Sequence, residues 1–398
     1  MLPKVVLKPR KALPFFGRHP WVFVGAISHV EGDPAPGAEV ALVSERDEFI
    51  ARGLFNPASS IRVRLYSWGH DQPLDEAFWS RRLDEAIRLR RDVLKLPQSS
   101  ESACRLVFSE ADGLSGLIVD RYGDWLLLQI TSLAIFQRRE LILNLLREKL
   151  GPAGIWLRTE KGIRDVEGLQ QSDGLLWGTE PPRPLFIEEH GLRYGVDVVE
   201  GQKTGLFLDQ RDNRLAAAKY LAGRRVLDMF CYSGGFAMHA VRSGGASEVL
   251  AVDVSEPALD LARANVEMNG LSRSIRFGRS DSFRLMEQLR DQQEKFGAVI
   301  LDPPKMARHP KAVPDALRGY FGLNRLAADL LEPDGVLVTC SCTGHVGRDD
   351  FEMMLQDVAV DSGRNIQVLE SRSAAADHPM SAWCPETNYL KCLICRVT

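Results

Sequence analysis

Aspartate residues end several apolar runs in the second half of the sequence, and their carboxylates could bind a ligand. Asp228, Asp253 and Asp302 each close such a run, and Asp281 follows a shorter one. An acid at the position of Asp253 can accept both hydroxyls of an adenosine ribose. Capping of the next helix is an alternative role for Asp253, but Ser255 suits that role better. Asp281 could hold an adenine amino group, although a turn aspartate would look the same.

A pair of glycines, Gly234 and Gly235, follows Asp228 in a short turn. Glycine lets the backbone turn tightly and brings its amides close to a bound ligand, although tight packing alone would require the same residues. The spacing departs from the Gly-x-Gly-x-x-Gly fingerprint, so a nicotinamide dinucleotide site is disfavoured.

The most specific short motif is Asp302-Pro-Pro-Lys305. Its two prolines fix the backbone φ angle and remove two amide donors immediately after a buried run. The result is a rigid rim of exposed carbonyl groups beside one positioned carboxylate. Ordinary turn chemistry does not explain this pattern, which therefore indicates a functional edge.

Two cysteines, Cys340 and Cys342, stand at the end of the next apolar run. Strand alternation places both side chains on the same side, and cysteines in strands are often plain buried residues. A thiolate at this edge could nevertheless add to carbon 6 of a cytosine and turn carbon 5 into a nucleophile toward a methyl sulfonium. Nearby positive charge must then ionise the thiol, because its ordinary pKa is about 8.5.

An alternation of strands and helices after about residue 201 would bring these strand ends together. The predicted strands cover 225–230, 248–253, 298–302 and 335–340, and the helices cover 235–243, 255–269 and 318–331. This alternation predicts parallel strands joined by right-handed crossovers, which is a doubly wound α/β sheet. In such sheets the ligand binds beyond the carboxyl ends of the strands.

The first half of the sequence predicts other architectures. Short β-branched runs separated by turns predict a small β-barrel over 1–70, and a helix with an apolar face is expected over 75–96. Further strands and a helix over 134–149 predict an α+β region over 75–190. With the doubly wound sheet over 195–398, the chain is expected to have three parts.

The composition is that of an ordinary globular protein. The chain has 398 residues, 45% of them hydrophobic, and a net charge of −3, which argues against disorder and against binding nucleic acid by charge alone. No apolar run reaches the roughly 18 residues that a membrane helix needs. Seven irregularly spaced cysteines predict a reduced, cytoplasmic protein. Cys392 and Cys395 have zinc-knuckle spacing without a second pair, so a metal site is not expected.

Basic residues are concentrated at the start of the chain, before the first acidic residue, Glu31. A surface of this kind could contact phosphate groups, although a solvated edge is an equally good interpretation. The candidate RNA-contacting residues are Lys4, Lys8, Arg10, Lys11 and Arg18.

As a set, the four aspartates, the glycine turn and the Asp302-Pro-Pro motif resemble class I S-adenosylmethionine-dependent methyltransferases over about 200–398. Over nearly its whole length the chain resembles the PUA-domain family of bacterial 23S ribosomal RNA cytosine-5 methyltransferases. The segments that carry this second resemblance are Arg18-His-Pro-Trp-Val-Phe, 200–214, Ser341-Cys342-Thr343, Asp377-His-Pro379 and Tyr389-Leu-Lys391.

The resemblance implies S-adenosylmethionine as cofactor and ribosomal RNA of the large subunit as partner, without a metal or a membrane; a homodimer is compatible with it. It implies that Asp302 holds the cytosine while Cys342 attacks carbon 6. The cofactor would be bound by Asp228, Asp253, Asp281, Asp302, Tyr232, Gly234 and Gly235, with Gln210 and Arg211 closing over it.

Several alternatives stay open. The pattern [ST]-Cys-[ST] fits Cys340 as well as Cys342, and Cys342 is favoured because it leaves a full strand before it. Lys305 stands where many RNA cytosine-5 enzymes have a second cysteine, so the group that removes the carbon 5 proton is not identified. Alternative functions are a guanine-N7 methyltransferase, an exocyclic-amine methyltransferase, and a non-catalytic RNA-binding or ribosome-assembly factor.

Overall fold

The computed structural model describes residues 2–97, 99–159, 162–170, 172–199 and 205–398. The chain forms two compact units. The first comprises 1–187, 197–205 and 377–387, and the second comprises 188–196, 206–376 and 388–398. Residues 200–204, which begin the segment 200–214 of the family resemblance, lie outside the described residues.

A six-stranded mixed sheet opens the first unit. Its elements are β1 Lys4–Leu7, α1 Leu13–Phe16, β2 Trp21–Phe23, β3 Ile27–Glu31, β4 Glu39–Val43, β5 Phe49–Phe55 and β6 Ile61–Ser67. The strand order is β2-β6-β5-β4-β1-β3, with β1 and β4 parallel. Alternate side chains such as Val5 and Leu7 enter one core because successive residues of a strand point to opposite faces.

A five-stranded sheet, also in the first unit, follows in the order β11-β10-β9-β8-β7. The elements are α2 Glu76–Arg88, β7 Ala103–Phe108, β8 Leu117–Tyr122, β9 Trp125–Ile130, α3 Leu133–Phe136, α4 Arg139–Leu150, β10 Gly154–Leu157, α5 Ile163–Glu167 and β11 Gly174–Gly178. The single helix predicted over 134–149 is wrong, because α3 ends before Gln137 and α4 begins after Arg138. The predicted boundary near residue 70 stays a prediction.

A buried arginine holds the C-terminal part of the first unit. Arg90 lies in one π-helical turn, Leu89–Val93, which follows α2 directly. Its guanidinium donates to a carboxylate oxygen of Asp112 at 2.6 Å and to the carbonyl oxygens of Arg105 and Asp377, each at 2.8 Å. These bonds fix the start of the segment 377–387, which the sequence did not assign to this unit.

A two-stranded hairpin, β12 Leu185–Glu189 and β13 Leu192–Val196, lies between the main parts of the two units in the sequence. Among the described residues, no helix combines the length and the apolar character needed to cross a membrane.

The second unit is a seven-stranded sheet with helices. Its strands are β14 Arg225–Met229, β15 Glu248–Asp253, β16 Ile275–Arg279, β17 Phe296–Leu301, β18 Leu331–Ser341, β19 Ile366–Arg372 and β20 Lys391–Val397. Its helices are α6 Arg211–Ala218, α7 Gly235–Arg242, α8 Glu256–Met268, α9 Ser282–Asp291, α10 Val313–Leu330 and α11 Arg348–Ser362. The order is β16-β15-β14-β17-β18-β20-β19, so the predicted doubly wound sheet is confirmed.

Strands β14 to β18 are parallel, and β20 runs antiparallel to both of its neighbours, β18 and β19. All six residues of β17 are buried, as expected for a central strand covered on both faces. The strand order changes direction at β14, which pairs with β15 on one side and β17 on the other. A crevice for a ligand is expected at the carboxyl ends beside this point.

Candidate active site at the strand ends of the second unit

Asp228, near the end of β14, is a buried acid without a hydrogen-bond partner of normal geometry. The residue is 1% exposed, and neither carboxylate oxygen has such a partner among the described residues. Burial and the negative charge of Asp302 raise its pKa well above the ordinary value, while the nearby amide of Ala237 opposes part of that rise. Because buried polar groups are normally satisfied, this carboxyl is suited to a polar or cationic group of a bound ligand.

The turn after β14 contains three residues with positive φ angles: Phe230 at 65°, Tyr232 at 46° and Gly234 at 80°. For the two aromatic residues this conformation is strained, and such strain is concentrated at functional sites. The adjacent Gly235 is required for close packing, because a Cβ at this position would lie 2.9 Å from Cδ of Arg214. Gly234 therefore allows the turn and Gly235 allows the packing, while the approach of their amides to a ligand stays a prediction.

Asp253, the last residue of β15, is held rigidly by two backbone amides. One oxygen accepts a hydrogen bond from the amide of Tyr232 at 3.0 Å, and the other accepts from the amide of Ser255 at 2.9 Å. Each carboxylate oxygen keeps a further lone pair that can accept from a ligand hydroxyl. Ser255 caps α8 through the amide of Ala258, which confirms the prediction that Asp253 is not the helix cap.

Asp281 has a capping role in the structure. Its exposed side chain accepts a hydrogen bond from the amide of Arg284 at 3.1 Å at the start of α9. This is the ordinary function of an aspartate at a helix start. Contact with an adenine amino group stays a prediction.

Gln210 and Asp302, which are far apart in the sequence, meet directly. Gln210 donates from Nε2 to Oδ1 of Asp302 at 3.0 Å, and Asn213 donates to Oε1 of Gln210 at 2.7 Å. This relay fixes the orientation of the Asp302 carboxylate at the edge of the Asp302-Pro-Pro motif. Arg211, the residue after Gln210, is also buried, and its Nε donates to Oδ1 of Asp212 at 3.4 Å. Asn213 lies in the segment 200–214 that carries the family resemblance, but the sequence analysis assigned it no role.

The two candidate cysteines lie in different environments. Cys340 is 0% exposed and lies opposite Cys392 of β20. A hydrogen bond with Cys392 and burial raise its pKa well above the ordinary value, so its thiol form is favoured. Cys342 is partly exposed, and its Sγ lies 3.9 Å from the carbonyl oxygen of Pro303. The thiol of Cys342 is therefore the one beside the rigid rim.

Thr343 connects this rim to the rest of the second unit. Its hydroxyl accepts from the amide of Met306 at 3.0 Å and lies 2.8 Å from the hydroxyl of Tyr320. Its carbonyl oxygen accepts from Nζ of Lys391 at 2.8 Å. The sequence marked Tyr389-Leu-Lys391 only through a resemblance, and the structure places Lys391 next to the strand end.

The basic residues of the N-terminus lie in the first unit and differ in their partners. Lys4 is paired with Asp47 at 2.7 Å, whereas Lys8 donates to the carbonyl oxygen of Gly25. Arg10 and Lys11 are exposed. Arg18 is also exposed, and its guanidinium lies 5.2 Å from the ring centre of Trp383. Lys4 therefore has the weakest case for contacting phosphate, since a carboxylate already neutralises it.

Comparison with known proteins agrees with this geometry. Residues 128–382 match the family described as S-adenosylmethionine-dependent methyltransferase, and residues 5–68 match a PUA-like domain. Ribosomal RNA large subunit methyltransferase I of Erwinia tasmaniensis is 42% identical over 398 residues, which cover 100% of both chains. The protein of that name from Escherichia coli O157:H7 is 41% identical over 395 residues, or 99% of each chain.

Two solved structures have a similar fold. A methyltransferase structure in complex with SAH superposes with a TM-score of 0.85 at 21% identity, and a SAM-dependent methyltransferase from Streptococcus mutans superposes with a TM-score of 0.84 at 20% identity. Both comparisons cover 100% of each chain. At these identities the likeness shows the fold alone, and the expected fold class is confirmed.

Proposed function

Because the chain belongs to the S-adenosylmethionine-dependent methyltransferase family, we propose that it methylates carbon 5 of a cytosine in ribosomal RNA of the large subunit, with Cys342 as the nucleophile. The observation that carries the proposal is the position of the Cys342 thiol, 3.9 Å from the Pro303 carbonyl oxygen beside Asp302. A methyltransferase acting on a ring nitrogen or an exocyclic amine needs no thiol at this edge.

The residues at the strand ends suit the cofactor. S-adenosylmethionine, when bound, supplies a methyl group on a sulfonium, which is an electrophile. Asp253 offers fixed carboxylate lone pairs for ribose hydroxyls. Among the described residues, the buried carboxyl of Asp228 has no hydrogen-bond partner of normal geometry. The positive φ angle of Gly234 lets the chain turn there without a Cβ penalty. Cys231, in the same turn, is disfavoured as a nucleophile because burial raises the pKa of its thiol well above the ordinary value.

The chemistry follows from the weak nucleophilicity of carbon 5 in cytosine. The Cys342 thiolate forms a bond to carbon 6, and the displaced electron pair makes carbon 5 nucleophilic. Carbon 5 then takes the methyl group, whose bond to the sulfonium sulfur breaks and leaves its electron pair on that sulfur. A base removes the carbon 5 proton, and the electron pair of that C–H bond expels the Cys342 thiolate from carbon 6. Asp302, oriented by Gln210, is placed to hold the polar edge of the base during these steps.

The RNA substrate is inferred from the relatives and from the first unit. The relatives are named ribosomal RNA large subunit methyltransferase I, and residues 5–68 match a PUA-like domain. Lys8, Arg10, Lys11 and Arg18 offer exposed positive charge for phosphate groups. A ribosomal RNA substrate also agrees with the cytoplasmic location that the cysteine usage predicts.

Methylation of undermodified large-subunit RNA with a tritiated methyl donor tests the proposal. We expect mass spectrometry of the digested nucleosides to find the label in 5-methylcytidine. Label in 7-methylguanosine or in a nucleoside methylated on its amino group would replace the proposal with one of the alternatives. Absence of labelling, together with RNA binding, would favour the ribosome-assembly interpretation.

A further inference from the structure

Lys391 is a buried lysine next to the candidate nucleophile. The residue is 2% exposed, at the first position of β20 and opposite Ser341 of β18. Its Nζ donates to the carbonyl oxygens of Thr343 at 2.8 Å and of Tyr389 at 2.9 Å. Within the described part of the chain, no carboxylate forms an ion pair with this ammonium group.

Burying an ammonium group without a counter-charge is unfavourable, so it needs a compensating neighbour. Burial lowers the pKa of Lys391 to about 8, and a negative charge on Cys342 is the largest influence that raises it again. The bond to the Thr343 carbonyl holds Nζ at the residue that directly follows Cys342. Two of the three N–H groups of the ammonium are used by carbonyl oxygens, which leaves the third for another acceptor.

We propose that Lys391 is a positioning residue that favours the thiolate form of Cys342 by holding a buried ammonium charge beside it. The inference rests on the proposed function, in which Cys342 acts as the nucleophile. The lysine keeps its proton throughout: its charge balances the thiolate before attack on carbon 6 and again after the thiolate is released.

Other charged or titratable groups also act on this pair. Arg348 and Asp350, in the first turn of α11, influence the charge of Lys391 in opposite directions. The charges of Cys342 and of Asp302, which follows β17, both act on Tyr320 of α10, so the three groups share one electrostatic environment. A negative charge on Asp302 disfavours a second negative charge, and therefore a thiolate, in that environment. Because Asp302 opposes ionisation, a nearby cation is needed to keep a thiolate at neutral pH.

The test measures how the alkylation rate of Cys342 by iodoacetamide depends on pH, using peptide mass spectrometry to identify this cysteine. Lys391→Met removes the charge, Lys391→Gln removes the charge but keeps a donor for the carbonyl oxygens, and Lys391→Arg keeps the charge. Lys295→Met is the matched control, because Lys295 also donates to a backbone carbonyl of this unit.

We expect the apparent pKa of the Cys342 thiol to rise by at least one unit in Lys391→Met and Lys391→Gln, which slows alkylation about tenfold at neutral pH. The rates should converge with wild type above pH 9.5, and Lys391→Arg and Lys295→Met should follow wild type. A wild-type profile in Lys391→Gln would overturn the inference. If Lys391→Met does not fold, the alkylation profile of Lys391→Gln alone decides whether the inference holds.

The alkylation assay needs neither RNA nor cofactor, so it separates this inference from the proposed function. Slower alkylation in Lys391→Gln combined with full methylation by Cys342→Ser would exclude Cys342 as the nucleophile but support the pairing of Lys391 with the Cys342 thiolate. An unchanged alkylation profile combined with an inactive Cys342→Ser would support Cys342 as the nucleophile but exclude that pairing. In the methylation assay, activity of Lys391→Gln should recover toward wild type as the pH rises, which a merely structural role would not produce.

Discussion

The free energy of ionising a thiol depends on its immediate surroundings, and Cys340 and Cys342 show this within one strand end. Cys340 faces Cys392 inside the sheet, where burial penalises a thiolate. Cys342 is partly exposed beside the carbonyl oxygen of Pro303 and near the ammonium of Lys391. A difference of one unit in pKa corresponds to about 1.4 kcal/mol, so such surroundings can decide which thiol reacts.

Cys342→Ser should abolish methylation and leave cofactor binding intact, because a hydroxyl is a far weaker nucleophile than a thiolate near neutral pH. Cys340→Ser should retain substantial activity, with some loss of stability because the residue is buried. Turnover with undermodified RNA, together with calorimetry of SAH binding, measures both effects.

RNA with 5-fluorocytosine at the target gives an independent check of the nucleophile, since carbon 5 then has no proton to lose. Wild type and Cys340→Ser should form a protein–RNA band that survives denaturation, and Cys342→Ser should not. A band that persists in Cys342→Ser but disappears in Cys340→Ser would assign the nucleophile to Cys340.

Asp253→Ala should weaken SAH binding by about tenfold or more. Each lost hydrogen bond to a charged acceptor is worth about 1.5–3 kcal/mol, and about 1.4 kcal/mol is a factor of ten in affinity. Asp260→Ala, on the exposed face of α8, is the matched control and should bind SAH like wild type. Equal affinities of Asp253→Ala and wild type, measured by calorimetry, would show that Asp253 does not hold the ribose.

At the scale of elements, a buried ion pair supports the glycine turn. Arg214 of α6 donates to both carboxylate oxygens of Glu189 in β12, at 2.9 and 2.7 Å, and His239 of α7 lies 3.4 Å from the same carboxylate. Burial opposes the charge of Glu189, but Arg214 and His239 outweigh it and lower its pKa to about 2. Because Gly235 packs on the side chain of Arg214, this pair fixes where α7 begins.

Arg214→Met should destabilise the second unit by about 3–5 kcal/mol at neutral pH, because it leaves the Glu189 carboxylate buried without its main partner. The folded pKa of Glu189 lies below the unfolded value of about 4.3, so the pair stabilises the fold above about pH 4. This contribution is lost as the pH falls toward 2. Denaturant unfolding between pH 3 and 7 should therefore show a difference in the free energy of unfolding between wild type and variant that becomes smaller at low pH.

Arg224→Met provides the comparison for this prediction. Among the described residues, Arg224 donates to the carbonyl oxygens of Tyr220 and Gly297 and to no carboxylate, so the free-energy cost of its removal should not depend on a carboxylate. If the cost of Arg214→Met were equally independent of pH, the assigned role of the ion pair would be wrong.

At the scale of the whole molecule, the proposed RNA contacts and the proposed chemistry belong to different compact units. The basic N-terminal residues lie in the first unit, with the match to a PUA-like domain over 5–68. The strand ends with Asp228, Asp253, Asp302 and Cys342 lie in the second. Substitutions in the first unit should therefore change RNA affinity without changing cofactor affinity, and substitutions at the strand ends of the second unit should change cofactor affinity without changing RNA affinity.

Replacing Lys8, Arg10, Lys11 and Arg18 with alanine should weaken RNA binding and leave SAH affinity unchanged. Each phosphate contact that is lost should reduce the slope of log affinity against log salt by about 0.7–0.9. Lys4→Ala should reduce RNA affinity less than the replacement of any one of these four residues, because Asp47 already neutralises Lys4. Filter binding at several salt concentrations measures the slope, and an unchanged slope in the fourfold variant would exclude these residues from the RNA interface.

The sequence by itself determined which residues end the parallel strands. Apolar β-branched runs and the turns that stop them are local features, so the sequence alone assigns Asp228, Asp253 and Asp302 to one edge of a doubly wound sheet. The rigidity of Asp302-Pro-Pro is also local, because proline restricts its own backbone.

Only the tertiary structure decided how these residues are held and charged. The environments of Cys340 and Cys342 depend on Cys392 and Lys391, which arrive on β20 from the far end of the chain. The pattern of buried residues along β20 would be the same whether the strand ran parallel or antiparallel to its neighbours. The sequence of β20 therefore could not predict its antiparallel direction. Gln210 likewise meets Asp302 only in the folded chain. Burial and pairing between distant segments set the chemistry of these groups, and a sequence pattern records neither.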